Sequence, residues 1–416
     1  MKRIYPLSGI LILIILIASC GKSSVKPNPN PSPGINLDLN AAEQQNAAAD
    51  NAFTFNLFKS VQAANSNGAN LFTSPLSVSM ALGMTSNGAN GATRDAINST
   101  LGFSGFSQDE ANGYFNKLIT GLPKVDPNTN LNIANSIWYR QGFTVSSKFL
   151  QTDSAYFHAK IAALDFSNPS SAGTINNWVS NQTNGKIPSI VDQISSDDVM
   201  YLINAIYFKS QWQSKFDPSQ THQQAFYLTN NSTVQASFMQ GKIAYSLYRA
   251  SSVSANVIEL PYINDQFSMV IVEPYGSTSV NDIIANLDTA TWHSWMSGLA
   301  TQNGEVIMPK FKFSYSILLN NALEQLGMGI AFGNAADFTG INPAGGLQIT
   351  KVQHKAFVEV DETGTEAAAA TSVVIGLSAV LNPPTLTIDH PFLFVIREVK
   401  TGLILFAGTM NNPVLQ

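Results

Sequence analysis

The chain has one cysteine, Cys20, in 416 residues. Beyond it no disulfide, thiolate metal site or cysteine nucleophile is possible. Charge is scarce as well: 12 % of the residues are charged, with 22 Lys and Arg against 27 Asp and Glu and a net charge of −5. The cations form no basic stripe, so nothing electrostatic recommends a nucleic acid or an anionic membrane surface as partner. Histidine is limited to His158, His222, His293, His354 and His390, with no HExxH, HxH or His/Cys cluster. A lone His of this kind reads as a structural hydrogen-bonder. No GxSxG elbow, GxxxxGK[ST] loop or GxGxxG turn occurs, and the carboxylates show no pairing along the sequence. Neither a cofactor nor a metal is expected, and a hydrolase with an unrecognised site is the one enzymatic reading left.

What is present begins with MKRIYPLSGILILIILIASCG: Lys2 and Arg3, an apolar run, then small residues before Cys20. This is a secretory signal. Ile17-Ala18-Ser19-Cys20 resembles a bacterial lipobox, with Ile17 where Leu is commonest, so residues 1–19 are expected to be removed and Cys20 acylated. The alternative is an uncleaved membrane anchor, for which the apolar run is short. Two or more acyl chains would hold the protein at a membrane, on the periplasmic face or at the cell surface. Residues 21–38, GKSSVKPNPNPSPGINLD, are rich in Pro, Asn and Ser without an apolar period, so 20–39 reads as acylated Cys and polar tether. Length alone would allow two or three domains. Yet no second linker or repeat follows, which favours one unit over 40–416.

Within that unit, Phe53, Leu57 and Val61 recur at helical spacing between Asn40 and about Ala64. Ser74-Pro75 opens a second helix, with Val78, Ala81 and Leu82 on one side. LINAIYFKSQW up to Trp212 has strand character. VIELPYI (257–263) and FSMVIVEP (267–274) read as strands of a hairpin or meander. Ser316 to Gly329 reads as a helix with Leu319, Leu323 and Leu326 facing in. Strands recur without βαβ alternation, so the class is α+β.

The stretch GTEAAAATSVVIGL, 364–377, carries one charge. Read as a strand of period two, it places Thr365, Ala367, Ala369, Thr371, Val373, Ile375 and Leu377 on one face, and the charge, Glu366, on the other. The first face begins small, ends bulky and has no charge, so such a segment can enter the middle of a sheet. An Ala-rich helix and an ordinary sheet strand are the alternatives.

Ordered motifs along the chain resemble the serpin family from about Asn40 to Pro413. They are Asn70-Leu71-Phe72 with Ser74-Pro75, Ser77, Ala81-Leu82, Met84, Gly88-Ala89, Gly91 and Thr93; INNWVSNQTNGKI; LINAIYFKSQW; VIELPY; VIMPKFKF; LEQLGM with AFGNAADFTGI; HKAFVEVDETGTEAAAAT; DHPFLFVIRE; and FAGTMNNP. The resemblance implies a single-domain α+β fold with three β-sheets, about eight or nine helices and an exposed reactive loop. It also implies no enzymatic activity of the chain's own. A target serine or cysteine protease would attack the loop with its nucleophile, and the cut loop would then insert as a new strand. At ~3.3 Å per residue, that would carry the tethered protease some 40 Å.

Fast insertion needs small residues after the hinge, which Glu362, Thr363, Gly364, Thr365, Glu366, Ala367, Ala368, Ala369, Ala370 and Thr371 match. That favours an inhibitor over the alternative, a non-inhibitory member acting as a binding or scaffold protein. Family spacing places the cut bond at Ser378-Ala379, with Leu377-Ser378, Ala379-Val380 and Val380-Leu381 as neighbours in contention. None of these residues is Arg or Lys, so elastase-like or chymotrypsin-like targets fit better than trypsin-like ones. Ser74, Ser77, Asn204 and His354 match the family's shutter, Trp212 and Glu362 its breach. Ordinary capping and core packing are the bland readings. A monomer is expected.

Overall fold

The computed structural model describes residues 34–65, 68–195, 197–365 and 384–415. The first helix, α1 (Ala41–Ala63), starts where Asn40 and Glu43 close a reciprocal cap: Glu43 N donates to Asn40 Oδ1 and Asn40 N to Glu43 Oε2. Phe53, Leu57 and Val61 are buried, as their spacing predicts. In α2 (Pro75–Asn87) Ser74 caps the N-terminus and Pro75 fills the first turn. Its sequence contains no charge, and the helix is buried almost all round rather than on one side, with Ala81 half-exposed. It runs through the interior against both sheets.

The remaining helices are α3 (Gly91–Leu101), α4 (Gln108–Val125), α5 (Ser147–Phe157), α6 (Ser170–Gln182), α7 (Val280–Ala285), α8 (Thr289–Gly298) and the short α9 (Asn320–Leu323). Among the described residues no helix is long and apolar enough to cross a membrane. The strands are β1 (Leu71–Thr73), β2 (Asn130–Arg140), β3 (Lys160–Leu164), β4 (Met200–Gln211), β5 (His222–Tyr227), β6 (Thr233–Ala250), β7 (Ala255–Pro261), β8 (Phe267–Pro274), β9 (Ala300–Pro309), β10 (Phe311–Leu318), β11 (Gln353–Val360), β12 (Gly364–Thr365), β13 (Thr385–Thr387), β14 (Phe392–Glu398) and β15 (Ile404–Met410).

One sheet has the order β10-β11-β12-β4-β2-β3. The other runs β1-β15-β14-β8-β7-β6-β9-β13, with β5 also on β6. The long β6 joins two lobes: Thr233–Phe238 pair with β5 and Phe238–Leu247 with β9, while its last residues, Ser246–Ala250, pair with β7. The expected three sheets are therefore the six-stranded one and these two lobes, and β7 and β8 form the expected antiparallel hairpin. The helix read over 316–329 is a correction. Residues up to Leu318 continue β10, alternating buried and outward-facing from Phe311. Helix starts only at Asn320, and Gly327, at φ 112°, breaks it. Leu319 and Leu323 are buried nonetheless.

Ahead of α1, residues of the stretch read as tether lie on the body. Ile35 N donates to Val125 O at the end of α4, Leu37 and Leu39 are buried, and Lys400 Nζ meets Asp38 at 3.0 Å.

Phe72 ties the two sheets together. Its ring stacks on Phe406 (5.2 Å) and Phe394 (5.6 Å) and meets Phe313 of β10 edge-on. Phe72→Ala is expected to cost about 3–5 kcal/mol, read as a lower urea midpoint; a loss within ~0.5 kcal/mol would contradict this packing role.

Candidate functional site: the gap between two central strands

In the six-stranded sheet, β4 and β11 are joined, among the described residues, only at one end. There β12 sits between them, Gly364 opposite Gln211, Thr365 opposite Ser210 on one side and Val360 on the other. Further along, the first half of β4 and the start of β11 border a cavity of about 950 Å³ floored by Ser77, Val78, Ala81 and Leu82 of α2. A sheet with strands parted in its middle leaves backbone groups available to a further strand.

At the joined end, Gly364 is required by close approach: a Cβ there would lie 2.0 Å from the Ser210 carbonyl oxygen. Trp212 N donates to Thr363 O (2.8 Å) and its indole Nε1 to Asp361 O (2.9 Å). Its ring lies parallel to Tyr262 at 4.7 Å. The Asp361 carboxylate accepts from the amides of Thr363 and Gly364, and burial raises its pKa overall. Glu362 is buried and accepts from Lys310 Nζ at 2.7 Å and Thr221 Oγ1 at 2.5 Å. Burial works against its charge, but those two donors hold it below the usual carboxylate range. Thr365 is buried, its hydroxyl on Tyr262 Oη. Behind Ser210 the contacts reach α4: Ser210 Oγ to Thr129 Oγ1 at 2.7 Å, and Thr129 Oγ1 to Asp126, which also accepts from Asn264 Nδ2.

At the head of the cavity the four residues expected to form a polar cluster do meet. Ser74 N donates to His354 Nε2 (3.0 Å), Ser74 Oγ to Leu405 O, and Ser77 Oγ to Asn204 O. Asn204 Nδ2 donates to Asn135 Oδ1 at 2.8 Å, while Asn204 Oδ1 is buried without a hydrogen-bond partner. Asn135, Tyr262, Lys310 and Thr221 escaped the sequence reading. Tyr262 and Lys310 sit inside motifs that were read, but only the fold brings them to the hinge. Of the predicted hinge, Glu366, Ala367, Ala368, Ala369, Ala370 and Thr371 lie outside the described residues. So do Leu377, Ser378, Ala379 and Val380 of the reactive segment, and Cys20.

Elsewhere, Glu273, Asp389 and His390 place ligand atoms within 4.8 Å of one another. Glu273 is occupied by hydrogen bonds from the Asn256 side chain and the backbone of Asp389 and His390, and burial pushes it up to about 8. It caps a turn.

A central sheet parted between two strands, with Gly364 and Thr365 paired between them at one end, goes together with the family that the comparisons show. The chain belongs to the serpin family: the model described as Serpin (serine protease inhibitor) matches residues 48–413. It is 33 % identical to human Serpin B11 over 88 % of this chain and 99 % of the relative, and 35 % identical to chicken neuroserpin over 86 % and 89 %. Among solved structures it resembles human thyroxine-binding globulin complexed with thyroxine (TM-score 0.83, 30 % identity, 90 % of this chain and 100 % of that one). It also resembles the thermophilic serpin tengpin in the native state (TM-score 0.80, 34 % identity, 92 % and 97 %). Serpins are generally protease inhibitors rather than catalysts.

Burial pushes His354 down to about 4, whereas an unfolded His titrates near 6.5. The unfolded chain therefore binds the extra proton first. Stability from this group is complete above about pH 6.5 and lost as pH falls toward 4, by about 3 kcal/mol. His354→Gln should flatten that part of the stability–pH curve, measured by urea unfolding from pH 7 to 4; parallel curves for the two proteins would refute it.

Proposed function

We propose that the protein is a suicide inhibitor of serine or cysteine endopeptidases with small or apolar specificity, elastase-like or chymotrypsin-like, acting through insertion of its own loop. The observation that carries this reading is the register at the hinge. Gly364 and Thr365 are already paired with Gln211 and Ser210 of β4, and Thr365 with Val360 of β11. Continued residue by residue, that register sets Ala367 between Phe208 and Val358, Ala369 between Ile206 and Ala356, and Thr371 between Asn204 and His354. Those six flanking residues are buried. The inward residues of the loop are thus small where the sheet is tight. The first inward hydroxyl after Thr365, on Thr371, arrives at the buried, unpartnered Asn204 Oδ1. Val373 and Ile375 follow toward the cavity.

In this mechanism the target's nucleophile adds to the carbonyl carbon of Ser378. The Ser378–Ala379 amide breaks, the Ala379 amine leaves with a proton, and an acyl-enzyme remains. Insertion then competes with attack by water. A binding role is the alternative, since thyroxine-binding globulin shares the fold. We also propose that Cys20 is acylated and anchors a monomer at a bacterial membrane, on the periplasmic face or cell surface.

Mixing residues 21–416 with pancreatic elastase or chymotrypsin is expected to give a denaturant-stable adduct at the summed mass, and trypsin none. Thr371→Arg, which drives a charge against Asn204 and His354, should be cleaved without adduct. Clean cleavage of the unaltered protein, with protease fully active and no gain in thermal stability, would favour the binding role. Cys20→Ser should move the full-length protein from the membrane to the soluble fraction; unchanged partition would argue against the anchor.

A further inference from the structure

We infer that Tyr262 is a positioning residue for the loop, its hydroxyl seating Thr365 in the sheet before any protease arrives; this rests on the inhibitor reading above. Tyr262 directly follows β7 and forms an antiparallel bridge with Trp212, which directly follows β4, so it stands where the chain of one sheet meets the chain of the other. Its ring is fixed from two sides, parallel to Trp212 at 4.7 Å and edge-on to Phe208 at 5.2 Å. The residue is fully buried. Among the described residues the one hydrogen-bond partner of its hydroxyl is Thr365 Oγ1, at 2.5 Å.

Two consequences follow from that isolation. Withdrawing Thr365 would take from the buried phenol hydroxyl the partner it has among the described residues, which favours the state in which Thr365 is present. The alternative resting position, with Thr365 swung out of the sheet, is therefore disfavoured roughly tenfold or more by this one contact. The rigid stack on Trp212 also prevents the phenol from turning to another acceptor. Trp212 is itself pinned to the same segment through Asp361 O and Thr363 O. Ring, indole and hinge thus form a closed circuit in which Thr365 is the removable member.

For the proposed reaction the effect is on branching. Once the acyl-enzyme forms, insertion and hydrolysis compete. A loop whose first inward residue is already seated starts from the second, so more captured protease is trapped. Tyr262 touches neither the protease nor the cut bond, and acts only through Thr365.

The test uses Tyr262→Phe, which keeps the ring in its stack, together with Thr365→Val, Thr365→Ser and the Tyr262→Phe/Thr365→Val pair. Hydrogen–deuterium exchange on the free protein reads the hinge directly. Uptake across Asp361 to Thr365 should rise roughly tenfold in Tyr262→Phe and in Thr365→Val, rise no further in the pair, and stay unchanged in Thr365→Ser. With elastase, the number of inhibitor molecules cleaved per protease trapped should rise severalfold in the same variants. Unaltered exchange in Tyr262→Phe, or effects of the two single variants that add in the pair, would overturn the assignment. Because exchange needs no protease, it decides the role of Tyr262 even in a chain that traps none.

Discussion

Everything distinctive in this structure follows from the separation of β4 and β11. A sheet gains most of its cohesion from continuous pairing between neighbours, yet among the described residues these two strands are held together only where Gly364 and Thr365 come between them. The rest of the molecule is arranged so that the parting can persist. The buried α2 floors the gap, β2 supports β4 along nearly its whole length, and β10 supports β11. A row of buried hydroxyl and amide groups at its head supplies hydrogen bonds without joining the strands. An edge of this kind on the surface would invite another chain; here it lies inside the molecule, where the proposed function gives it to the protein's own segment.

The described part of the hinge is held by side chains on one side and by backbone pairing on the other. Asp361, Glu362 and Thr363 are anchored by Trp212, Lys310 and Thr221. The next two residues enter the sheet by backbone pairing and one hydroxyl contact. Beyond them the sequence turns to alanine, which gives a strand little side-chain reason to stay anywhere.

Local patterns were legible where local physics decides them. The Asn40 cap and the Phe53, Leu57, Val61 spacing define α1, and alternation defines β7 and β8. The segment around Ser316 misled because Leu319, Leu323 and Leu326 have helical spacing, while the alternation from Phe311 carries the strand through Leu318. The period of α2 was uninformative because a helix buried on all sides needs no polar face. In the site, Ser74, Ser77, Asn204 and His354 were legible through family motifs alone. Asn135, Lys310, Thr221 and Tyr262 lie far along the chain from their partners, and no single-sequence pattern links them. The docking of Leu37 and Leu39 was hidden by a composition rich in Pro and Asn.

That docking has a mechanical meaning. Ile35 rests on the backbone of Val125, next to Asp126; from there Thr129 leads to Ser210, the residue opposite Thr365. A pull exerted through the N-terminal end would therefore enter the molecule on the side where the loop enters the sheet. It would first have to peel Ile35 from Val125 and lift Leu37 and Leu39 out of the core. Under such a pull those contacts would act as strain relief, yielding before load reached the junction between β4 and β11.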